Sequence, residues 1–322
     1  MQKIDWKLIF TIAIFSLLSA CGGSSDSVTA SSASSEVSVT PVVGSTSGES
    51  TSGVECTYSY SAFNSSPSVN LTSIADWFCG ATNRTLSANG IPDHDVGSFP
   101  NAHNPNTIST QAVSASYTLE PIMTSTSTEF GGPRGPIGYV LNGVKLDPGT
   151  AGSCNDSGAS CSLAGNVGGW RIEALGQDSF DFGDDDNHAH VQPGGVYHYH
   201  GIPEGFIDRL NKGTEMTLIA WAADGFPIYA RYGYSDAMDA NSGTIVIKGS
   251  YQLKATPDAN RPDVALYAMG AFMQDYEYVE GLGDLDECNG RMGVTPEFPQ
   301  GIYHYFATDS YPFLQRCVKG AP

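Results

Sequence analysis

Four of the chain's seven histidines fall between positions 188 and 200: His188 and His190 in "DNHAH", His198 and His200 in "VYHYH". Both pairs read His-x-His. On an extended backbone side chains alternate between faces, so each pair can aim two imidazoles at one point, with Tyr197 and Tyr199 on the opposite face. Imidazole nitrogen suits zinc and copper, and zinc–nitrogen bonds run to about 2.0–2.1 Å. A turn at "QPGG", residues 192–195, would fold the second pair back beside the first and offer four nitrogens to one ion. The competing reading is a half-buried aromatic face whose ring nitrogens are satisfied by backbone carbonyls or carboxylates.

The segment "PGGVYHYH" at 193–200 has an echo in "PQGIYHYF" at 299–306, with Pro, Gly, Tyr, His and Tyr in register. The two segments are expected to be equivalent strands, with His304 facing the same cavity as His198 and Phe306 standing where a second ligand would be. His94 in "IPDHD", flanked by Asp93 and Asp95, has the surroundings of a further ligand or a general base. Asp224 in "DGFPIY" and Asp286 in "LDEC" are candidate acids or bases, although Asp-Gly is also a common turn pair. Asp184, Asp185 and Asp186 carry hard oxygen ligands for calcium, but their spacing is not that of an EF-hand, and such a run is more often a solvated loop. The chain has no nucleophile elbow, phosphate loop, dinucleotide fingerprint or His-Glu-x-x-His helix, so a serine triad or a nucleotide cofactor has no support.

The elements that must position these residues read as strands. Glycine and proline are frequent, aromatics are plentiful, and no long amphipathic helical stretch stands out, which predicts a mainly β domain with long loops over 54–322. Its form is expected to be a single disulfide-stapled domain, β-sandwich-like or mixed β. Strands are expected at Val113–Leu119, Ile137–Leu141, Trp170–Ala174, Val196–His200, Met216–Trp221, Ile245–Leu253, Tyr267–Phe272 and Ile302–Ala307.

The first 20 residues have lysines ahead of an apolar run, Leu8 to Leu18, that closes in small residues before Cys21. That is the layout of a secretory signal peptide, and the run is too short to span a bilayer as a mature helix. "LSAC" resembles the bacterial lipobox, which implies lipid on Cys21, and the glycines after it resemble a signal for the outer membrane of the cell envelope. Residues 21–53 are mostly Ser, Thr, Gly and Val, a composition that cannot offset chain entropy by burial and so predicts a tether. Six cysteines remain, Cys56, Cys79, Cys154, Cys161, Cys288 and Cys317. An even number in an exported chain predicts disulfides, and neighbourhood favours 56–79, 154–161 and 288–317. The formal net charge of −19 repels nucleic acid, leaving the membrane, reached through the lipid, as the one partner the sequence names.

Four ordered motifs, "NGIPDHDVGSFP", "DDDNHAHVQPGGVYHYHGIP", "AWAADGFPIYARYGY" and "LDECNGRMGVTPEFPQGIYHYFATDSYPFLQRCVKG", resemble the YHYH-domain family of secreted proteins. The resemblance runs from about Trp77 to Gly320. In that family the second tyrosine–histidine segment usually reads YHYH as well, so Phe306 is a departure. The resemblance implies kinship and carries no activity with it. Three functions therefore stand open: a metal-binding lipoprotein holding copper or zinc, a surface binding or adhesion module with no metal, and a metal-dependent hydrolase or oxidase. The first takes precedence because two His-x-His pairs and His304 occur together. A protein or glycan partner is left unspecified.

Overall fold

The structure, a computed structural model, describes residues 56–322. The expected signal peptide, the lipid site at Cys21 and the tether lie outside the described residues. The domain is mainly β, as expected, with one short α-helix.

An antiparallel meander comes first, of β1 (Thr57–Asn64), β2 (Leu71–Cys79), β3 (Asn83–Ala88) and β4 (Val113–Thr118). Along β2, Ser73, Ala75 and Trp77 are buried while Thr72, Asp76 and Phe78 are exposed, the period of two of a sheet with one face covered. Trp77 joins Leu86 and Tyr117 in the core and donates its indole N–H to the Leu141 carbonyl at 3.0 Å. The sheet it covers has eight strands. They are β5 (Gly138–Val140), β6 (Lys145–Leu146), β7 (Ala189–Gln192), β8 (Val196–Tyr199), β9 (Thr217–Ala222), β10 (Pro227–Ala230), β11 (Gly290–Gly293) and β12 (Ile302–Ala307). Their order is β7-β8-β6-β5-β9-β10-β12-β11. All neighbours are antiparallel except β8 with β6 and β10 with β12. The Asn142-Gly143 turn between β5 and β6 lies so close to the meander that a Cβ on Gly143 would come within 2.4 Å of the Ala88 methyl.

Helix α1 (Glu204–Leu210) buries Phe206, ends at Asn211 in the left-handed region (φ 50°), and ties down the 93–95 loop through an Arg209–Asp93 ion pair of 2.9 Å. All three disulfides join neighbouring cysteines as expected: Cys56–Cys79, Cys154–Cys161 and Cys288–Cys317.

Several strands differ from expectation. The Ile245–Leu253 segment is two short strands, Thr244–Val246 and Tyr251–Leu253, in different ribbons. Between them Ser250 turns inward to donate to the Leu285 carbonyl at 2.5 Å. Tyr267–Phe272 is not a strand. Gly270 has φ 102°, and the buried Asp275 carboxylate gathers the N–H groups of Gly270 and Phe272 with the Arg261 guanidinium, so the backbone bends around it. Trp170–Ala174 shrinks to Trp170–Arg171 and an isolated bridge from Ile172 to Phe272.

Candidate metal site

Strands β7 and β8 form a hairpin whose register sets His190 opposite His198, Val191 opposite Tyr197 and Ala189 opposite Tyr199. Its loop, Pro193 to Gly195, closes with the Gly195 N–H donating to the Gln192 carbonyl at 3.0 Å. Gly194 and Gly195 have φ 93° and 81°, and a Cβ at Gly195 would lie 2.0 Å from Ser109 Oγ. Glycine alone fits there.

Alternation along β8 sends Tyr197 and Tyr199 to one face and His198 and His200 to the other. On the histidine face the rings of His190, His198 and His200 form a near-equilateral group, with centroids 4.6, 4.6 and 4.7 Å apart. His190 Nε2 and His200 Nε2 are 3.2 Å apart. All three residues are buried, and one nitrogen from each lies within 4.8 Å of the others. Among the described residues this is the one cluster of ligating side chains able to hold a metal ion.

Their neighbours fix which nitrogen faces the centre. The Val196 carbonyl, 3.3 Å from His198 Nδ1, can only accept, so that nitrogen carries the proton and Nε2 carries the lone pair. Asp184 Oδ1 lies 2.6 Å from His190 Nδ1, within ion-pair distance although the ring N–H is not aligned with it. Lys145, opposite His198 across the parallel pair, is held by Asp147 at 2.9 Å and Gln192 at 2.8 Å. Burial holds His198 well below the ordinary histidine value, and the imidazoles of His200 and His190 add to the effect. Burial, with His190 beside it, takes His200 down to about 3 against the opposing pull of Asp184. Both rings are neutral at pH 7, the form a metal requires.

The remaining candidates lie elsewhere. His188 precedes β7 in the left-handed region (φ 55°), which breaks the alternation that would have aligned it with His190. Its Nδ1–H donates to the Ile202 carbonyl at 2.9 Å. His94 lies on the tyrosine face. Its Nδ1–H donates to the Asp95 carbonyl at 2.8 Å and its Nε2 accepts the Tyr199 hydroxyl at 2.6 Å, so both nitrogens are engaged. His304 sits on β12, the seventh strand where β8 is the second, and so does not share the cavity of His198.

Asp224 and Asp286 also belong to the other half of the sheet. Asp224 accepts the Tyr305 hydroxyl at 2.6 Å and the Gly320 N–H at 2.8 Å. Asp286 accepts the Tyr303 hydroxyl at 2.9 Å and the Cys288 N–H at 2.9 Å. Burial pushes both carboxyl groups up, and their hydrogen bonds are those of turn anchors. The acidic run does not converge on calcium: Asp184 turns to His190, Asp185 accepts the Tyr197 hydroxyl at 2.8 Å, and Asp186 is exposed. The partnership of Asp184 with His190 had no signal in the sequence, because it depends on the path of a loop.

A family model described as YHYH protein matches residues 114–320. No curated protein and no solved structure matches the chain.

Proposed function

The chain belongs to the YHYH protein family, and from that premise we propose that its tyrosine–histidine strand serves here to hold a metal ion, zinc or copper, between His190, His198 and His200. The observation that carries this reading is the pair of ε-nitrogens 3.2 Å apart in a buried group of three imidazoles. Two nitrogens bound tetrahedrally at about 2.0–2.1 Å to one ion stand roughly 3.3 Å apart, so this spacing is already that of a ligand pair. A bound ion supplies Lewis acidity, and three protein ligands leave one tetrahedral position for a further donor. The chain's own part is to keep His198 and His200 neutral, to fix the His198 tautomer, and to set a carboxylate behind His190.

We place this centre in an exported protein anchored by lipid at Cys21 to the bacterial outer membrane, without nucleic-acid partners. The signal-peptide layout, the three disulfides and the net charge of −19 support that placement.

The test is metal content by plasma mass spectrometry. The full chain, exported, purified without a histidine tag and offered both metals, is measured beside His198→Ala/His200→Ala. About one equivalent in the parent and none in the folded variant is expected. A metal-free parent would make the three rings scaffold, with His190 and His200 sharing a proton.

A further inference from the structure

The eight-stranded sheet has the same plan on either side of its middle. Strands β5 and β9 pair antiparallel about Tyr139 and Trp221, which face each other in the register. Outward from that pair each half runs hairpin, parallel contact, hairpin: β5, β6, β8, β7 on one side and β9, β10, β12, β11 on the other. The backbone hydrogen bonds obey the same two-fold. Leu141 N–H donates to Ile219 and Ala223 N–H donates to Ile137, both at 2.8 Å. The turns Asn142-Gly143 and Asp224-Gly225 carry glycine at φ 80° and 88°. Asn142 and Asp224 each bond the hydroxyl of a second tyrosine, Asn142 donating its amide to Tyr199 and Asp224 accepting from Tyr305, while Asp185 and Asp286 each accept that of a first, Tyr197 and Tyr303.

This correspondence extends to the metal site. His190 pairs with His198 as Arg291 pairs with His304. The His200 N–H donates to the carbonyl of the left-handed His188 at 2.7 Å, and the Phe306 N–H donates to that of the left-handed Asn289 at 2.9 Å. The tautomer is repeated too. His304 Nδ1 faces the Ile302 carbonyl at 2.9 Å as His198 Nδ1 faces Val196, so His304 Nε2 carries an inward lone pair. That nitrogen is buried with no hydrogen-bond partner, as a ligand deprived of its ion would be. Arg291 stands where His190 does, its guanidinium 5.3 Å over the Phe306 ring; Nη2 donates to the Tyr234 carbonyl at 2.7 Å while Nε is buried without a partner. Buried Leu285 occupies the place of Asp184.

We infer that the sheet is a duplicated unit whose second half is a converted metal site, in which the Arg291 guanidinium supplies the positive charge that an ion supplies to His190, His198 and His200. The inference rests on the reading of the first half as a metal site. It explains two differences together: the loss of one imidazole to a ring that faces a guanidinium, and the retention of His304 in ligand tautomer.

Reciprocal exchange tests it. Arg291→His/Phe306→His restores three imidazoles to the second half, and metal content, measured with both zinc and copper offered, should rise by one equivalent over the parent. His190→Arg/His200→Phe gives the first half the side chains of the second; it should lose its equivalent and melt within about 5 °C of the metal-free parent. A folded first variant with no added metal overturns the inference. If that variant does not fold, the second decides: a folded, metal-free protein upholds the equivalence and an unfolded one overturns it. A parent without metal is the failure of the proposed function instead, and is read from the parent alone.

Discussion

At the scale of single residues, Asp184 is the group whose role goes furthest beyond its spacing. A carboxylate behind a ligating imidazole fixes the ring and raises its basicity, and its loss typically costs ten- to a hundred-fold in metal affinity. Asp184→Asn should therefore weaken binding by about that factor in a competition titration against a chromophoric chelator, with little change in the melting point of the metal-free protein. Unchanged affinity would remove Asp184 from the site. The buried histidines make a second prediction. Burial lowers His304 to about 4 and His200 to about 3, whereas in the unfolded chain both titrate near 6.5. Between those values the unfolded state binds more protons, so their contribution is fully present above pH 6.5 and is lost as the pH falls toward the folded values. Urea midpoints of metal-stripped protein should drop between pH 7 and pH 4.5, at up to about 1.4 kcal/mol per pH unit for each histidine. A flat profile would show that these rings are not held neutral. Of the candidate site itself, His198 on β8 and His200 just past its end were legible from alternation, because residues two apart on an extended backbone share a face. The exclusion of His188 was not, since it depends on one left-handed residue just outside the strand.

At the scale of elements, the site depends on a hairpin that only glycine can close at position 195. Gly195→Ala must hold a left-handed backbone, costing about 1–3 kcal/mol, and must also displace Ser109. Denaturant unfolding should show a loss at least that large, accompanied by weaker metal binding; a neutral substitution would mean that the loop rearranges freely. Strands with a strong apolar or aromatic pattern were readable: β12 runs Ile302–Ala307, as its sequence predicts. The first three strands gave little signal because Phe63, Ile74 and Phe78 point outward while Ser73 and Arg84 point inward, which blurs the alternation of apolar and polar residues. Ile245–Leu253 and Tyr267–Phe272 look like strands by composition, but Ser250 and Asp275 draw the backbone into turns through contacts remote in sequence. The tetrapeptide echo at 299–306 revealed two equivalent strands and could not reveal that four other strands stand between them.

At the scale of the whole molecule, lipid at Cys21 and a buried histidine centre make separable predictions. Cys21→Ser should move the protein from the membrane fraction to the soluble periplasmic or secreted fraction while leaving metal content unchanged; continued membrane association would argue against a lipid anchor. The order of the sheet has a consequence for time as well as for place. The histidine hairpin is the outermost unit of its half, and β8 joins the rest of the sheet by a short ladder, His198–Lys145 and Tyr199–Leu146, with the Asp147 N–H donating to the Tyr199 carbonyl at 2.9 Å. Margins held by few contacts open more often than centres, by sub-global fluctuations that leave the remaining fold intact. An ion therefore need not wait for global unfolding to enter or leave. Hydrogen exchange in metal-stripped protein should find the amides of β7 and β8 less protected than those of β5 and β9, with metal slowing the former selectively; equal protection would tie turnover of the ion to unfolding of the entire domain. The residence time of the ion would then be a property of the sheet's edge, adjustable at Lys145 and Leu146 without altering a single ligand.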